Sequence, residues 1–69
     1  MSEKTVVIID DDRGFVLALS KFLLRRGFRA VGAFGGRDGL AQIESGEAHV
    51  AIVDLHLPDI TGIEVVEQM

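Results

Sequence analysis

Two apolar runs in this chain end in aspartate. Val6–Ile9 runs into Asp10 and Asp11, and Val50–Val53 runs into Asp54. If the two runs are neighbouring strands, three carboxylates converge on one small crevice at the strands' carboxyl ends, where open α/β sheets hold their ligands. Like charges so close repel unless something neutralises them. A donor set of oxygens, with no thiolate or imidazole geometry, suits a hard cation such as Mg²⁺, which binds through one or two carboxylates plus water and phosphate. Such an ion would also screen an incoming phosphoryl group and leave one carboxylate free as a nucleophile. For any one aspartate the plainer reading is a strand terminator or a helix cap, and Asp12 is read that way. Asp10, Asp11 and Asp54 together, each directly after a buried-strand pattern, point to a site.

The remaining candidates are weaker. His56 stands two positions after Asp54, where its charge, which changes near neutral pH, bears on water access; a solvated side chain is the simpler expectation. His49 precedes a strand and has no evident partner. Gly35, Gly36 and Gly39 do not have the spacing of a phosphate-binding loop, neither G-x-G-x-x-G nor G-x-x-x-x-G-K-[ST].

The elements that must position these groups are legible from the pattern. Thr5–Ile9 is β-branched throughout without alternation, as in a strand covered on both faces. Phe15, Ala18, Leu19, Phe22 and Leu23 recur at i, i+3, i+4, i+7 and i+8, which predicts a helix with that face on the core. Leu17 and Leu24, an i, i+7 pair, lie off that face, with Val16 nearby. Asp12 is placed to cap this helix, and Arg25-Arg26-Gly27 closes it with cations and a left-handed glycine. Arg29–Phe34, with an arginine and a glycine in it, suits a sheet edge. Gly35-Gly36 reads as a turn and Arg37–Ser45 as a short helix closed by Gly46, in which Gly39 should cost about 1 kcal/mol relative to alanine. Val50–Val53 is a second apolar strand. After the loop Leu55–Ile60, which holds the single proline, Pro58, Thr61-Gly62-Ile63-Glu64 matches a capping box that starts a third helix near Gly62. The order β-α-β-α-β-α implies an α/β fold with a parallel sheet and right-handed crossovers. Met69 falls about two turns into the third helix without a C-cap, so one domain over residues 1–69, truncated after the start of that helix, is expected.

Sixty-nine residues allow one small domain with a marginal core. With 48% apolar residues the chain is expected to fold rather than remain disordered. The net charge of −4, without a basic run, argues against direct nucleic-acid contact. The chain has no cysteine, hence no disulfide or thiolate metal site. Its apolar runs are shorter than a signal peptide or a membrane span requires. A cytoplasmic location is the expectation.

Ile8-Ile9-Asp10-Asp11-Asp12 resembles the acidic pair of two-component receiver domains, and Val53-Asp54-Leu55-His56-Leu57-Pro58-Asp59-Ile60-Thr61-Gly62 resembles their phosphorylation-site segment. Gly27-Phe28 and Gly36-Arg37-Asp38-Gly39-Leu40 extend the likeness over essentially the whole chain. The resemblance implies a flavodoxin-like sheet of which three strands are present here, in the order 2-1-3. It implies that Asp54 accepts a phosphoryl group from a histidine kinase or histidine phosphotransfer protein. It further implies that Mg²⁺ is held by Asp10, Asp11, Asp54 and the backbone carbonyl of His56, with Asp10 acting through water. The family's first helix docks the histidine-bearing partner, which makes Leu17 and Leu24 candidate contacts. Its fourth-strand Ser/Thr and fifth-strand Lys have no counterpart in these residues, so labelling of this chain should be slow or short-lived. Two other functions compete. A phosphohydrolase of the haloacid-dehalogenase type needs a second acid two residues after its aspartate, where His56 stands, so an enzyme is disfavoured. A phosphorylation-independent interaction module remains as the alternative. Finally, the 2-1-3 order leaves Val50–Val53 at an edge with no lysine or proline to block pairing. A homo-oligomer is therefore expected, through that edge or by exchange of the third helix.

Overall fold

The computed structural model describes residues 4–46, 48–54, 56–57 and 59–68. The polar start Met1–Glu3, Leu55, Pro58 and the expected helix break at Met69 lie outside the described residues. The chain runs β1 (Thr5–Ile9), α1 (Arg13–Arg25), β2 (Arg29–Ala33), α2 (Gly36–Glu44), β3 (Val50–Val53) and α3 (Gly62–Gln68). The strands form one parallel sheet in the order β2-β1-β3, as expected. All five β1 residues are buried. A central parallel strand is covered on both faces, so its unbroken apolar run needs no polar alternation.

The core is split by the sheet into two layers. On one face Val7, Ile9 and Ala33 pack with Leu40 of α2, Val65 of α3, and Leu57 and Ile60 of the connecting loop. On the other, Val6 and Ile8 pack with Val16, Leu19 and Leu23 of α1 and with Phe28 and Ala30. The alternation of β1 side chains between faces thus assigns α2 and α3 to one side and α1 to the other.

The face that α1 turns inward differs from the one its periodicity suggested. Val16 is its buried residue, with Leu19 and Leu23 half-buried, whereas Phe15 and Phe22 are 45% and 51% exposed. The cause lies on β2. Gly32 has no side chain, and a Cβ there would stand 2.7 Å from Val16 Cγ1. The gap lets Val16 descend onto the sheet, and the inward stripe becomes i, i+3, i+7 from Val16. Phe22 is left at the surface, where the Arg26 guanidinium lies 4.6 Å from its ring centroid.

The helix ends follow local rules. Asp12 is the N-cap of α1 and its Oδ1 accepts from the Phe15 N–H at 3.1 Å. Gly27 (φ 87°) and Gly46 (φ 80°) adopt the left-handed conformation that turns the chain out of α1 and α2. Thr61 Oγ1 accepts from the Glu64 N–H at 3.2 Å, the cap of α3 that the capping-box pattern anticipated. Helix α2 starts one residue earlier than expected, at Gly36, and β2 stops one residue earlier, at Ala33. His49 does have a partner: its Nδ1 accepts from the Thr5 N–H at 2.9 Å, and its own N–H donates to Thr5 O, fastening the entry of β3 to that of β1. No helix among the described residues is long and apolar enough to cross a membrane.

Gly39 is the glycine whose presence inside a helix called for a reason. It is buried, and a Cβ at this position would overlap the Ile9 side chain. Its absence lets α2 sit directly on β1. Gly39→Ala should therefore lower stability by about 1–3 kcal/mol despite the gain in helix propensity. Gly14→Ala, on the exposed side of α1 with ordinary van der Waals space, should raise it by about 0.5 kcal/mol. Urea denaturation of the two variants beside the parent checks the opposite signs.

Candidate acidic site at the strand ends

The site is built by register. β1 and β3 pair so that Ile9 stands opposite Val53, and the next residue of each strand is an aspartate. The Asp54 N–H donates to Ile9 O at 2.8 Å, and the Asp10 N–H donates to Ala33 O at 3.0 Å, so both aspartates are held by the last rungs of the sheet. Their carboxylates and that of Asp11 each offer an oxygen, and these oxygens lie within 4.8 Å of one another. Asp10 and Asp54 are half-buried and Asp11 is exposed. The three expected acids are therefore together, and Asp12 is not among them.

Short hydrogen-bonded turns set the orientations. Asp10 Oδ1 accepts from the Asp12 N–H at 2.9 Å, which bends the chain from β1 towards α1. Asp54 Oδ1 accepts from the His56 N–H at 3.3 Å, the same kind of turn after β3. The His56 side chain is exposed. Arg13, the first residue of α1, lays its guanidinium over the Phe34 ring at 4.2 Å, which ties the start of α1 to the end of β2.

Asp59 is the structural residue that reading the chain did not single out. Its Oδ1 accepts from the Gly36 N–H at 2.7 Å and from the Ile60 N–H at 2.9 Å, and its Oδ2 accepts from the Arg37 N–H at 3.0 Å. Helix α2 begins at a glycine cap with no side-chain bond of its own, and Asp59 supplies that cap from 23 residues away. The signal was present: a helix preceded by Gly35-Gly36 has no local capping side chain. The bonds from Arg37 and Gly36 hold the Asp59 carboxyl below the usual carboxylate range. They also anchor the segment that carries Asp54 and His56 to the body of the fold.

A parallel sheet with helices on both faces and an acidic cluster at the carboxyl ends of two paired strands is an α/β arrangement of the doubly wound class. The family model for the response regulator receiver domain matches residues 6–69, and the chain belongs to that family. It is 33% identical over 69 residues to the regulatory protein VanRc of Enterococcus gallinarum, covering 100% of this chain and 29% of that protein. It is 32% identical over 68 residues to the photosynthetic apparatus regulatory protein RegA of Rhodobacter capsulatus, covering 99% and 37%. Among solved structures, the CheY-like receiver domain protein of Methanospirillum hungatei matches with a TM-score of 0.94 and 33% identity, over 97% of this chain and 54% of that one. The response regulator TrrA of Thermotoga maritima, solved in complex with Mg²⁺-BeF, matches with a TM-score of 0.89 and 28% identity, over 94% and 56%. The chain thus spans about a third of these curated relatives and just over half of the receiver structures. The α/β fold and the 2-1-3 sheet agree with the reading of the sequence.

The Asp59 anchor has a pH signature. A carboxyl held below its ordinary value contributes stability that is fully present above the unfolded-state value and is lost as pH falls through the folded-state value. Asp59→Asn should therefore lower stability near neutral pH and flatten its decline between about pH 5 and pH 2. Urea midpoints measured across that range check both effects, and an unchanged acid arm would refute the role of Asp59.

Proposed function

We propose that this chain is a phosphoacceptor module of two-component signalling, in which Asp54 takes a phosphoryl group from a histidine kinase or a histidine phosphotransfer protein. The observation that carries the reading is the convergence of Asp10, Asp11 and Asp54 at the ends of two paired strands, in a chain that belongs to the receiver family. In the transfer, the N–P bond of a phosphohistidine breaks as an O–P bond to Asp54 forms, and the imidazole leaves with the electron pair. Asp54 is half-buried, its main chain is held by its bond to β1, and its Oδ1 accepts from the His56 N–H, so Oδ2 is the carboxylate oxygen without a hydrogen bond among the described residues.

The donor set fits Mg²⁺: three carboxylates, all hard oxygen donors, close enough to share one ion. Asp11, Asp54 and the backbone carbonyl of His56 would hold it, with Asp10 acting through water. When bound, the ion neutralises negative charge on the phosphoryl oxygens during transfer. The chain's own residues do the rest. Asp10 keeps the β1–α1 turn in place by accepting the Asp12 N–H, and that turn sets the position of Asp11. The turn closed by the His56 N–H on Asp54 fixes the start of the loop that follows the acceptor.

The partner, the kinase or phosphotransfer protein, meets the module on α1, where Leu17 and Leu24 are each 58% exposed. A second copy of the chain is a further partner, at the edge of β3 that no other strand among the described residues pairs. The module works in the cytoplasm as an acceptor rather than as an enzyme. His56 stands where a phosphohydrolase of the haloacid-dehalogenase type has its general acid.

Incubation with a small phosphodonor and Mg²⁺, followed over time by intact-protein mass, should add one phosphoryl group to this chain, slowly or transiently, and none to Asp54→Asn, which is nearly isosteric but not nucleophilic. Asp11→Ala should weaken Mg²⁺ binding at least tenfold by titration calorimetry, by the loss of a direct ligand. His56→Ala should leave it unchanged, because the contribution assigned to His56 is its main chain. Equal labelling of the Asn variant would move the acceptor elsewhere. No labelling of either, with Mg²⁺ still bound, would favour a phosphorylation-independent interaction module.

A further inference from the structure

Helix α1 begins with a cation where its dipole disfavours one. Arg13 is the first residue of α1, at the positive pole of the helix, and it directly follows Asp10, Asp11 and Asp12 in sequence. The residues three and four places on, Val16 and Leu17, carry no charge to pair with it. A guanidinium is a planar fork of donors that matches a carboxylate through two bonds, and three carboxylates converge close by. Yet among the described residues no ion pair joins Arg13 to a carboxylate. Its guanidinium lies instead over the Phe34 ring, 4.2 Å from the centroid. The register accounts for that position. Ile9 is paired with Ala33 on one side of β1 and with Val53 on the other. The next residues, Phe34, Asp10 and Asp54, therefore form one row across the strand ends, on strands about 4.8 Å apart. The Phe34 ring folds back beside Gly32, where a Cβ would meet Val16 of α1 and stand 3.8 Å from Phe34 Cζ. The missing side chain thus makes room for the ring on the side of the sheet that α1 covers, next in the row to Asp10.

We infer that Phe34 is a positioning residue of the acidic site: its ring holds the Arg13 guanidinium off Asp10, Asp11 and Asp54 and so leaves the three carboxylates to a divalent cation. The inference rests on the reading of those aspartates as a Mg²⁺ site. Stacking on an exposed ring and pairing with an exposed carboxylate are comparable in strength, so the ring decides between two nearly equal positions for the cation. Without the ring, a guanidinium on Asp10 or Asp11 would engage the same lone pairs as Mg²⁺ and compete with it. Arg13 stays near enough to do so, because it follows Asp11 by two residues. Phe34 stands on the side of β1 opposite β3, so the pair is made wholly by the β1-α1-β2 unit.

Calorimetric titration with Mg²⁺ at constant ionic strength tests this on the parent chain, the two single variants and their combination. Phe34→Leu keeps an apolar side chain but removes the π face, and should weaken Mg²⁺ binding about three- to fivefold. Arg13→Gln should bind at least as tightly as the parent, and adding Phe34→Leu to it should change nothing further. Phe34→Tyr, which keeps the ring, should match the parent. In proton NMR of the metal-free parent, the ring current of Phe34 should shift the Arg13 δ-methylene resonances upfield, and Phe34→Leu should return them to the usual arginine range. A purely structural role for Phe34 gives the same loss of Mg²⁺ affinity with and without Arg13, and that result overturns the inference. So does a Phe34→Leu variant that binds as tightly as the parent, or a parent whose Arg13 resonances carry no ring-current shift. A parent that binds no Mg²⁺ fails before any substitution is made; that outcome overturns the Mg²⁺ reading of the site and the inference with it.

Discussion

The parallel pairing of β1 with β3, in the register that sets Ile9 opposite Val53, is the contact from which the rest of the molecule takes its arrangement. Each strand is apolar to its last residue and acidic immediately after it. A slip of one residue would separate Asp10 from Asp54 by a strand step of about 3.3 Å and turn one of them to the other face. The register is held at both ends. His49 grips Thr5 with a backbone and a side-chain bond at the entry, and Asp54 bonds Ile9 at the exit. Between them Val7 and Ile9 are buried against α2 and α3, and Val6 and Ile8 against α1, so β1 cannot slide without moving both core layers.

Glycine sets how closely the helices approach this sheet. Gly32 admits Val16 to one face, and Gly39 admits Ile9 to the other. Side chains at either position would lift α1 or α2 away from the sheet. Among the described residues the apolar burial lies in two short layers, and close approach of the helices is what packs them. The helix-propensity penalty at Gly39 is local and about 1 kcal/mol. The contact it permits belongs to the central strand.

The fold class, the strand order, the three helices and the convergence of Asp10, Asp11 and Asp54 were all legible in the sequence. The strand order came with the resemblance to receiver domains, and the rest stands on patterns that act over a few residues: unbroken apolar runs, acids at their ends, caps and left-handed glycines. What escaped depends on tertiary contacts. The inward face of α1 is chosen by the missing side chain of Gly32 on another strand, so periodicity alone favoured Phe15 and Phe22 over Val16. The partner of His49 is the N–H of Thr5, 44 residues away. Asp59 caps a helix that precedes it by 23 residues, and only the absence of a local cap before α2 hinted that a distant one was needed.

The aspartates of the loops show how identical side chains come to do different work. Asp12 and Asp59 each meet the free N–H groups of a helix N-terminus, and the lone pairs of Asp59 are engaged by three backbone donors. Oxygens engaged in that way are poor candidates to bind a cation or attack phosphorus. Asp54 receives a single long bond from the His56 N–H, and among the described residues no hydrogen bond reaches Asp11. Their lone pairs remain available, on a rim where two strands have already brought them together. Which carboxylates keep their lone pairs free therefore follows from the backbone donors each one meets.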